Sequence, residues 1–250
     1  KPTISHKNLR FLKIDLQKKI PKIKNINLLI HCASATPFKK YNKKEYSKIN
    51  TLGFKKILRA VINKNLTHVV LFSTMSVYGK ISKDMVDEEY PIKGETPYAL
   101  SKIKMEKTLN EFSKKNLING LTLRLPGVLG SGKNDNNFLS SVIKCILEKK
   151  PFQVFGSENL FNNLIGTGDI YKIILHFLKK NNFKNEVFNC SITKPEKIKK
   201  IILLLERLTR KKALIKELKA KEDFFLINNS KLLKSGYKVS TLTSTLKEIL

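Results

Sequence analysis

Short, nearly continuous apolar runs alternate along this chain with longer stretches in which apolar residues recur every three or four positions. Residues 26–32 (INLLIHC) form the first such run; it ends in small residues and reads as a buried strand that stops at a loop. From Tyr46 to Asn63, Ile49, Leu52, Phe54, Ile57, Leu58, Val61 and Ile62 recur at mostly helical spacing with lysines on the other side, so a helix is expected. Residues 68–72 (HVVLF) read as the next buried strand. Thr96 is a helix cap, Pro97 suits a first turn, and Met105, Leu109 and Phe112 follow on one face, which predicts a helix from 96 to about 115. Residues 121–125 (LTLRL) are a third strand, broken by Pro126-Gly127, and 187–190 (VFNC) a fourth.

Continuous hydrophobic strands separated by helices predict a parallel sheet covered on both faces, with ligands bound beyond the carboxyl ends of its strands. Those ends fall at 31–35, 73–76 and 126–130. After Gly130 the rhythm changes to longer helices and short extended pieces, which predicts a smaller lobe over them.

Composition narrows the function classes. Among 250 residues, 41% are hydrophobic, yet no run approaches the roughly 18 apolar residues of a membrane-spanning helix. The formal charge of +29 comes from lysines spread along the whole chain and interleaved with Asn and Ile, a pattern of a solvated face and not of a specific nucleic-acid surface. Cys32, Cys145 and Cys190 are far apart and lack paired spacing, so neither a metal site nor a disulfide framework is expected, and a cytoplasmic setting follows. The first residue is Lys1, with no leader behind it, and the start reads as a cut.

Tyr98-Ala-Leu-Ser-Lys102 places a phenol and an ammonium one helical turn apart. A fixed cation favours a phenolate and lets a Tyr exchange a proton with a substrate alcohol. The pair shares the stripe of Met105, Leu109 and Phe112, so this lysine is expected to point inward and to need a partner. A packed Tyr beside a snorkelling Lys is the plainer alternative. Upstream, Leu71-Phe-Ser-Thr-Met-Ser-Val-Tyr-Gly79 runs off a strand into a hydroxyl-rich turn, where Ser73, Thr74 or Ser76 is either a donor to a substrate oxygen or a turn residue.

Taken together and in order, these segments resemble the extended short-chain dehydrogenase/reductase family of NAD-dependent nucleotide-sugar epimerases, dehydratases and reductases. Asp15 stands at the family's acid beside the adenine, and Leu29-Ile-His-Cys-Ala-Ser34, with Ala33 and Ser34, is similar to the loop flanking the cofactor. Asn50, in Ile-Asn-Thr-Leu-Gly53, matches the helix asparagine that braces the site. Thr74 falls on the catalytic hydroxyl, and Tyr98 and Lys102 on the catalytic pair. Ser73 and Pro126 also border the implied cofactor, Pro126 within Arg124-Leu-Pro-Gly-Val-Leu-Gly130; Ser76, Gly127 and Asn162 border the implied substrate. The resemblance extends through Phe155-Gly, Gly168-Asp169 and Ser230 to Tyr237.

It implies an α/β fold with a doubly wound, Rossmann-like parallel sheet in residues 1–129, whose first strand-helix units are missing. A smaller α/β substrate lobe in 130–250 returns a strand near 187–190 to the sheet. It further implies NAD or NADP, a small-molecule substrate of nucleotide-sugar type, no specific nucleic-acid or membrane partner, no metal, and a homodimer, the family's frequent assembly. A noncatalytic binding protein of the same fold is the alternative.

The sequence also departs from the family. Gly53 is the first glycine, so the glycine-rich turn that lays a pyrophosphate on a helix N-terminus is not among residues 1–52, and weak cofactor binding by the chain alone is expected. Met75-Ser76 stands in place of the Asp-Glu pair of family dehydratases, which disfavours elimination. Gly127 replaces a common Asn, and Asn162 an Arg whose bidentate grip on a diphosphate an amide does not reproduce; Lys133 and Lys172 are nearby substitutes.

Overall fold

The computed structural model describes residues 6–130, 137–180, 184–218 and 224–250. Residues 6–27 run without strand or helix, and Ile14, Leu16, Ile20, Ile23 and Ile26 anchor them to the core. Strand β1 (Leu28–His31) follows, then α1 (Lys43–Tyr46), one π-helical stretch (Ser47–Leu52) and α2 (Gly53–Val61). Asn42 opens this helical run with a reciprocal capping box to Glu45. Next come β2 (His68–Thr74), a 3-10 turn (Met75–Tyr78), β3 (Met85–Val86), α3 (Pro97–Asn116), β4 (Asn119–Leu125), β5 (Gly127–Leu129) and α4 (Phe138–Leu147). The remainder holds β6 (Phe152–Phe155), β7 (Leu160–Phe161), β8 (Leu164–Gly166), α5 (Thr167–Lys180), β9 (Glu186–Asn189), β10 (Glu196–Lys197), α6 (Ile198–Thr209), β11 (Ile215–Leu218), β12 (Leu226–Ile227), α7 (Ser230–Lys234) and α8 (Leu242–Ile249).

The main sheet is parallel throughout, in the order β1-β2-β4-β9. Alternation sends the two faces of each strand to different helices. Val69 and Leu71 of β2 pack with Phe54, Leu58, Met105 and Leu109 of α2 and α3. Val70, with Leu121, Leu123 and Leu125 of β4, packs instead with Ile170, Ile173 and Phe177 of α5. The parallel sheet covered on both faces that the pattern predicts, and the Rossmann-like fold that the resemblance implies, are therefore present.

Thr96 caps α3 by accepting from the Ala99 N–H at 3.1 Å, as the sequence indicates. The helix stops at Leu117, which turns left-handed (φ 52°) and returns its N–H to Ser113. Beyond the sheet, Leu129, Leu139, Val142, Val154, Ile201, Leu205 and Leu246 build a second core around α4, α6 and α8. The pairs β5–β8, β6–β11, β7–β10 and β3–β12 are too short to be read from periodicity.

Gly79, behind the 3-10 turn, adopts φ 71°, and a Cβ there would lie 2.4 Å from the Lys93 carbonyl oxygen. Both conditions demand glycine. Gly79→Ala is expected to cost at least about 1 kcal/mol, seen as a lower urea midpoint with an unchanged slope.

Candidate functional site

A cleft of about 560 Å³ opens at the carboxyl ends of β1, β2 and β4. Cys32, Ser34 and Thr36 line it from the loop after β1, Ser73 to Ser76 from the end of β2, Tyr98 and Lys102 from α3, and Pro126 and Gly127 from the chain beyond β4. Parallel strands with aligned carboxyl ends leave their loops no other place to go, so residues distant in sequence converge there.

Lys102 is 3% exposed and donates to the Phe72 carbonyl oxygen at 2.8 Å, with Nζ 5.8 Å from the centre of the Tyr98 ring. The inward lysine thus has a backbone partner. Burial lowers its pKa to about 8, while Cys32 and Glu106 work in the other direction. Tyr98 and Thr74 line the cleft together. Burial pushes the Tyr98 phenol above the usual range, against the lowering effect of the Thr74 hydroxyl. That is opposite to the direction expected from a cation at Lys102, whose ammonium here is turned to the strand backbone. Thr74 also takes the Ser76 N–H at 3.2 Å, which anchors its hydroxyl at the cleft floor.

Asn50 is fully buried and ties two walls together. Its Oδ1 accepts from the Ala35 N–H at 2.7 Å, and its Nδ2 donates to Ala35 O at 3.1 Å and to Ser101 Oγ at 2.8 Å. Ser101 in turn donates to the Tyr98 carbonyl at 2.7 Å, so one amide links the loop after β1 to the first turns of α3.

The other candidates divide. Ser34, Ser76, Pro126 and Gly127 border the cleft. Ser73 borders it but spends its hydroxyl on Glu106. Ala33 is exposed and does not border it. Asp15 is exposed, caps its own turn by accepting from the Gln17 N–H at 2.9 Å, and stays outside the cleft. Asn162 is also outside: 2% exposed, it exchanges hydrogen bonds of 2.8 and 2.9 Å with the backbone of Ile227, in place of contacting a ligand. Lys172 is exposed on α5 outside the cleft, and Lys133 lies outside the described residues.

Several cleft residues have no assignment from sequence, among them three from beyond β5. Asn163 and Phe225 come from the distal part of the chain, and Asn137 caps α4 through Ser140 N at 2.9 Å. Asn137 was legible as a cap before an apolar run, whereas nothing local marks the others. A Cβ on Gly127 would meet Asn163 O at 3.2 Å and Asn137 Cβ at 3.4 Å, so these two asparagines close over the glycine.

His31, at the end of β1, is 4% exposed, stacks 4.7 Å from Phe54, and has an unpartnered Nε2. Burial, then the charge of Lys102, lowers its pKa from 6.5 to about 4, despite a hydrogen bond at the Ala33 backbone. The unfolded chain binds this proton more readily, so the stability contributed by neutral His31 is complete above pH 6.5 and disappears as pH falls through 4. The expected loss across that window is on the order of 3 kcal/mol. Denaturation midpoints from pH 7 to 4 test it: His31→Phe, which keeps the stacking, should flatten this limb, and an unchanged limb would refute the assignment.

The family model for the NAD dependent epimerase/dehydratase family matches residues 2–191. Among curated proteins, GDP-6-deoxy-D-talose 4-dehydrogenase of Aggregatibacter actinomycetemcomitans is 26% identical over 65% of this chain and 55% of its own length. The chain spans about half the length of that relative. Among solved structures, UDP-glucuronic acid 4-epimerase from Bacillus cereus in complex with NAD aligns with a TM-score of 0.77 at 26% identity, covering 94% of this chain and 76% of that one. RMD from Pseudomonas aeruginosa complexed with NADPH shares the fold at a TM-score of 0.80 and 20% identity, over 96% of this chain and 86% of the other. No helix among the described residues is long and apolar enough to cross a membrane. Sheet, cleft and family match agree, and the chain belongs to the NAD dependent epimerase/dehydratase family.

Proposed function

We propose that this protein is an NAD- or NADP-dependent sugar epimerase or ketoreductase that acts by hydride transfer, on a nucleotide-activated sugar. The observation that carries this reading is the meeting of Thr74, Tyr98 and Lys102 in one cleft at the carboxyl ends of the sheet. The reading takes residues 1–129 as the cofactor domain and 130–250 as the substrate lobe. A cytoplasmic setting, consistent with the free cysteines, and the homodimer implied by the resemblance belong to it.

The residues fit the nicotinamide-ribose end of such a cofactor, because a phenol, an ammonium and two hydroxyls, Ser34 and Thr74, border one cleft. When bound, the cofactor supplies the hydride acceptor. Tyr98 takes the proton from the reacting sugar hydroxyl and returns it. Thr74 donates to the same oxygen and holds the tyrosine hydroxyl beside it. Lys102 holds the ribose hydroxyls and, once its ammonium turns from Phe72 O toward the phenol, favours the phenolate. Ser76 borders the substrate side, and Met75, though it lines the cleft, carries a thioether with no proton to give and so lacks the chemistry of an elimination acid.

The test is to incubate the full-length protein with NAD and, in turn, UDP-glucose, UDP-glucuronic acid and a GDP-6-deoxyhexose, following absorbance at 340 nm and product configuration by NMR. An inverted or oxidised sugar from one of them supports the reading. Cofactor binding without turnover of any of them would favour the noncatalytic alternative.

A further inference from the structure

Beneath the reacting residues lies a buried charged cluster that the proposed chemistry does not use. Glu106 follows Tyr98 and Lys102 on α3 at the same four-residue spacing, so all three share one stripe of the helix. Its carboxylate accepts the Ser73 hydroxyl, Arg124 Nε at 3.2 Å and Arg124 Nη2 at 2.9 Å. Ser73 and Arg124 are register partners on β2 and β4, and side-chain alternation turns both toward α3. Arg124 continues to the Tyr78 hydroxyl at 2.7 Å, and Tyr78 donates to Asn189 Oδ1 on β9 at 2.7 Å. The helix that bears Tyr98 and the strand that delivers Thr74 are thus joined by one carboxylate, with side chains only 5% and 10% exposed across the Arg124–Glu106 pair.

We propose that Glu106 is a positioning residue: gripped by Ser73 and Arg124, its carboxylate sets the helix of Tyr98 and Lys102 against the strand of Thr74 and is the counter-charge of the buried Lys102 ammonium. This rests on the reading of Tyr98 and Lys102 as the reacting pair. The groups around Lys102 leave that role to Glu106. Phe72 offers a neutral carbonyl, and Tyr98 a phenol raised above its usual range. From β1 and the loop after it, His31 is neutral above about pH 4, and burial pushes the Cys32 thiol up, so neither is an anion at neutral pH. The Arg124 charge is committed to Glu106 and Tyr78, and of the two groups that raise the pKa of Lys102 against burial, Cys32 and then Glu106, the second is the carboxylate.

The test reads the titration of Lys102 in the full chain from lysine ¹³Cε shifts, with its resonance assigned by its loss in Lys102→Met. Glu106→Gln preserves shape and removes the charge. Glu106→Gln/Arg124→Met removes both charges and guards against a single variant that does not fold. The midpoint, near 8 in the parent, is expected to fall by about one pH unit in both variants, and Glu106→Asp should restore part of it. A purely structural role predicts the opposite sign, since loosened packing would re-solvate the ammonium and raise the midpoint toward 10.5. An unmoved or rising midpoint overturns the role of Glu106 and leaves the reacting pair intact. Full turnover by Lys102→Met overturns the pair itself, whatever the titration shows.

Discussion

Tyr98→Phe in the full-length protein is expected to lower turnover by about a hundredfold or more while leaving KM and thermal stability nearly unchanged. The substitution removes one oxygen. The ring keeps its contact with Tyr46, whose centre lies 6.0 Å away, and its place 5.8 Å from Lys102 Nζ. What disappears is the hydroxyl that shares the cleft with Thr74, and with it the group that moves the proton. Because burial holds this phenol above its usual range, the parent rate should climb as pH rises toward the basic limb, and Tyr98→Phe should abolish that climb. Steady-state kinetics across pH 6 to 10 would show both. A variant that turns over like the parent would remove Tyr98 from the chemistry, and a change confined to KM would make it a binding residue.

The resemblance to the family rested on the order of motifs, and its strongest parts were those in which local pattern and tertiary constraint agree. Tyr98 and Lys102 could be placed because Met105, Leu109 and Phe112 mark one face of the helix carrying them and Thr96 caps it, so its register was fixed before any neighbour was known. Strand β2 was legible for a similar reason, being apolar on both faces. Asn50 could be named, but not its work: its partners Ala35 and Ser101 lie 15 and 51 positions away, and only the assembled helix brings them to one amide.

Asn162 is where local pattern and tertiary placement part. Its position in the motif implies a substrate-side residue, whereas the fold holds its amide on the backbone of Ile227, 65 residues away, in a two-residue strand paired with β3 that no local pattern announces. Glu106 was passed over because a carboxylate among so many lysines reads as a solvated helix face. Its burial depends on Ser73 and Arg124 sharing one register pair, a property of the sheet and not of any single segment.

Arg124→Ala should be the most destabilising single change at this site, at about 3–5 kcal/mol. Burial opposes the guanidinium charge, but the hydrogen bonds and charge of Glu106, together with Tyr78, more than offset it and hold its pKa above the usual value. Truncation strands the other members of the cluster. Glu106 would keep Ser73 as its one remaining hydrogen-bond partner here, the Tyr78 hydroxyl would lose the donor at 2.7 Å, and the guanidinium 4.9 Å from the Tyr78 ring would vanish. The exposed pair Lys197–Glu158, with side chains 48% and 58% exposed, sets the contrast: Lys197→Ala should cost no more than about 1 kcal/mol, because water and salt already screen it. Arg124→Lys should fall between, since one ammonium cannot meet both carboxylate oxygens and the phenol. A loss on this scale consumes a large share of the roughly 5–15 kcal/mol that holds a typical domain together, so Arg124→Ala should unfold at a markedly lower urea concentration. Glu106→Gln/Arg124→Met should recover most of the difference, because neither charge of that pair is then left without the other. Equal midpoints for Arg124→Ala and Lys197→Ala would mean that water reaches Glu106, and the cluster would then fix neither the strand nor the helix.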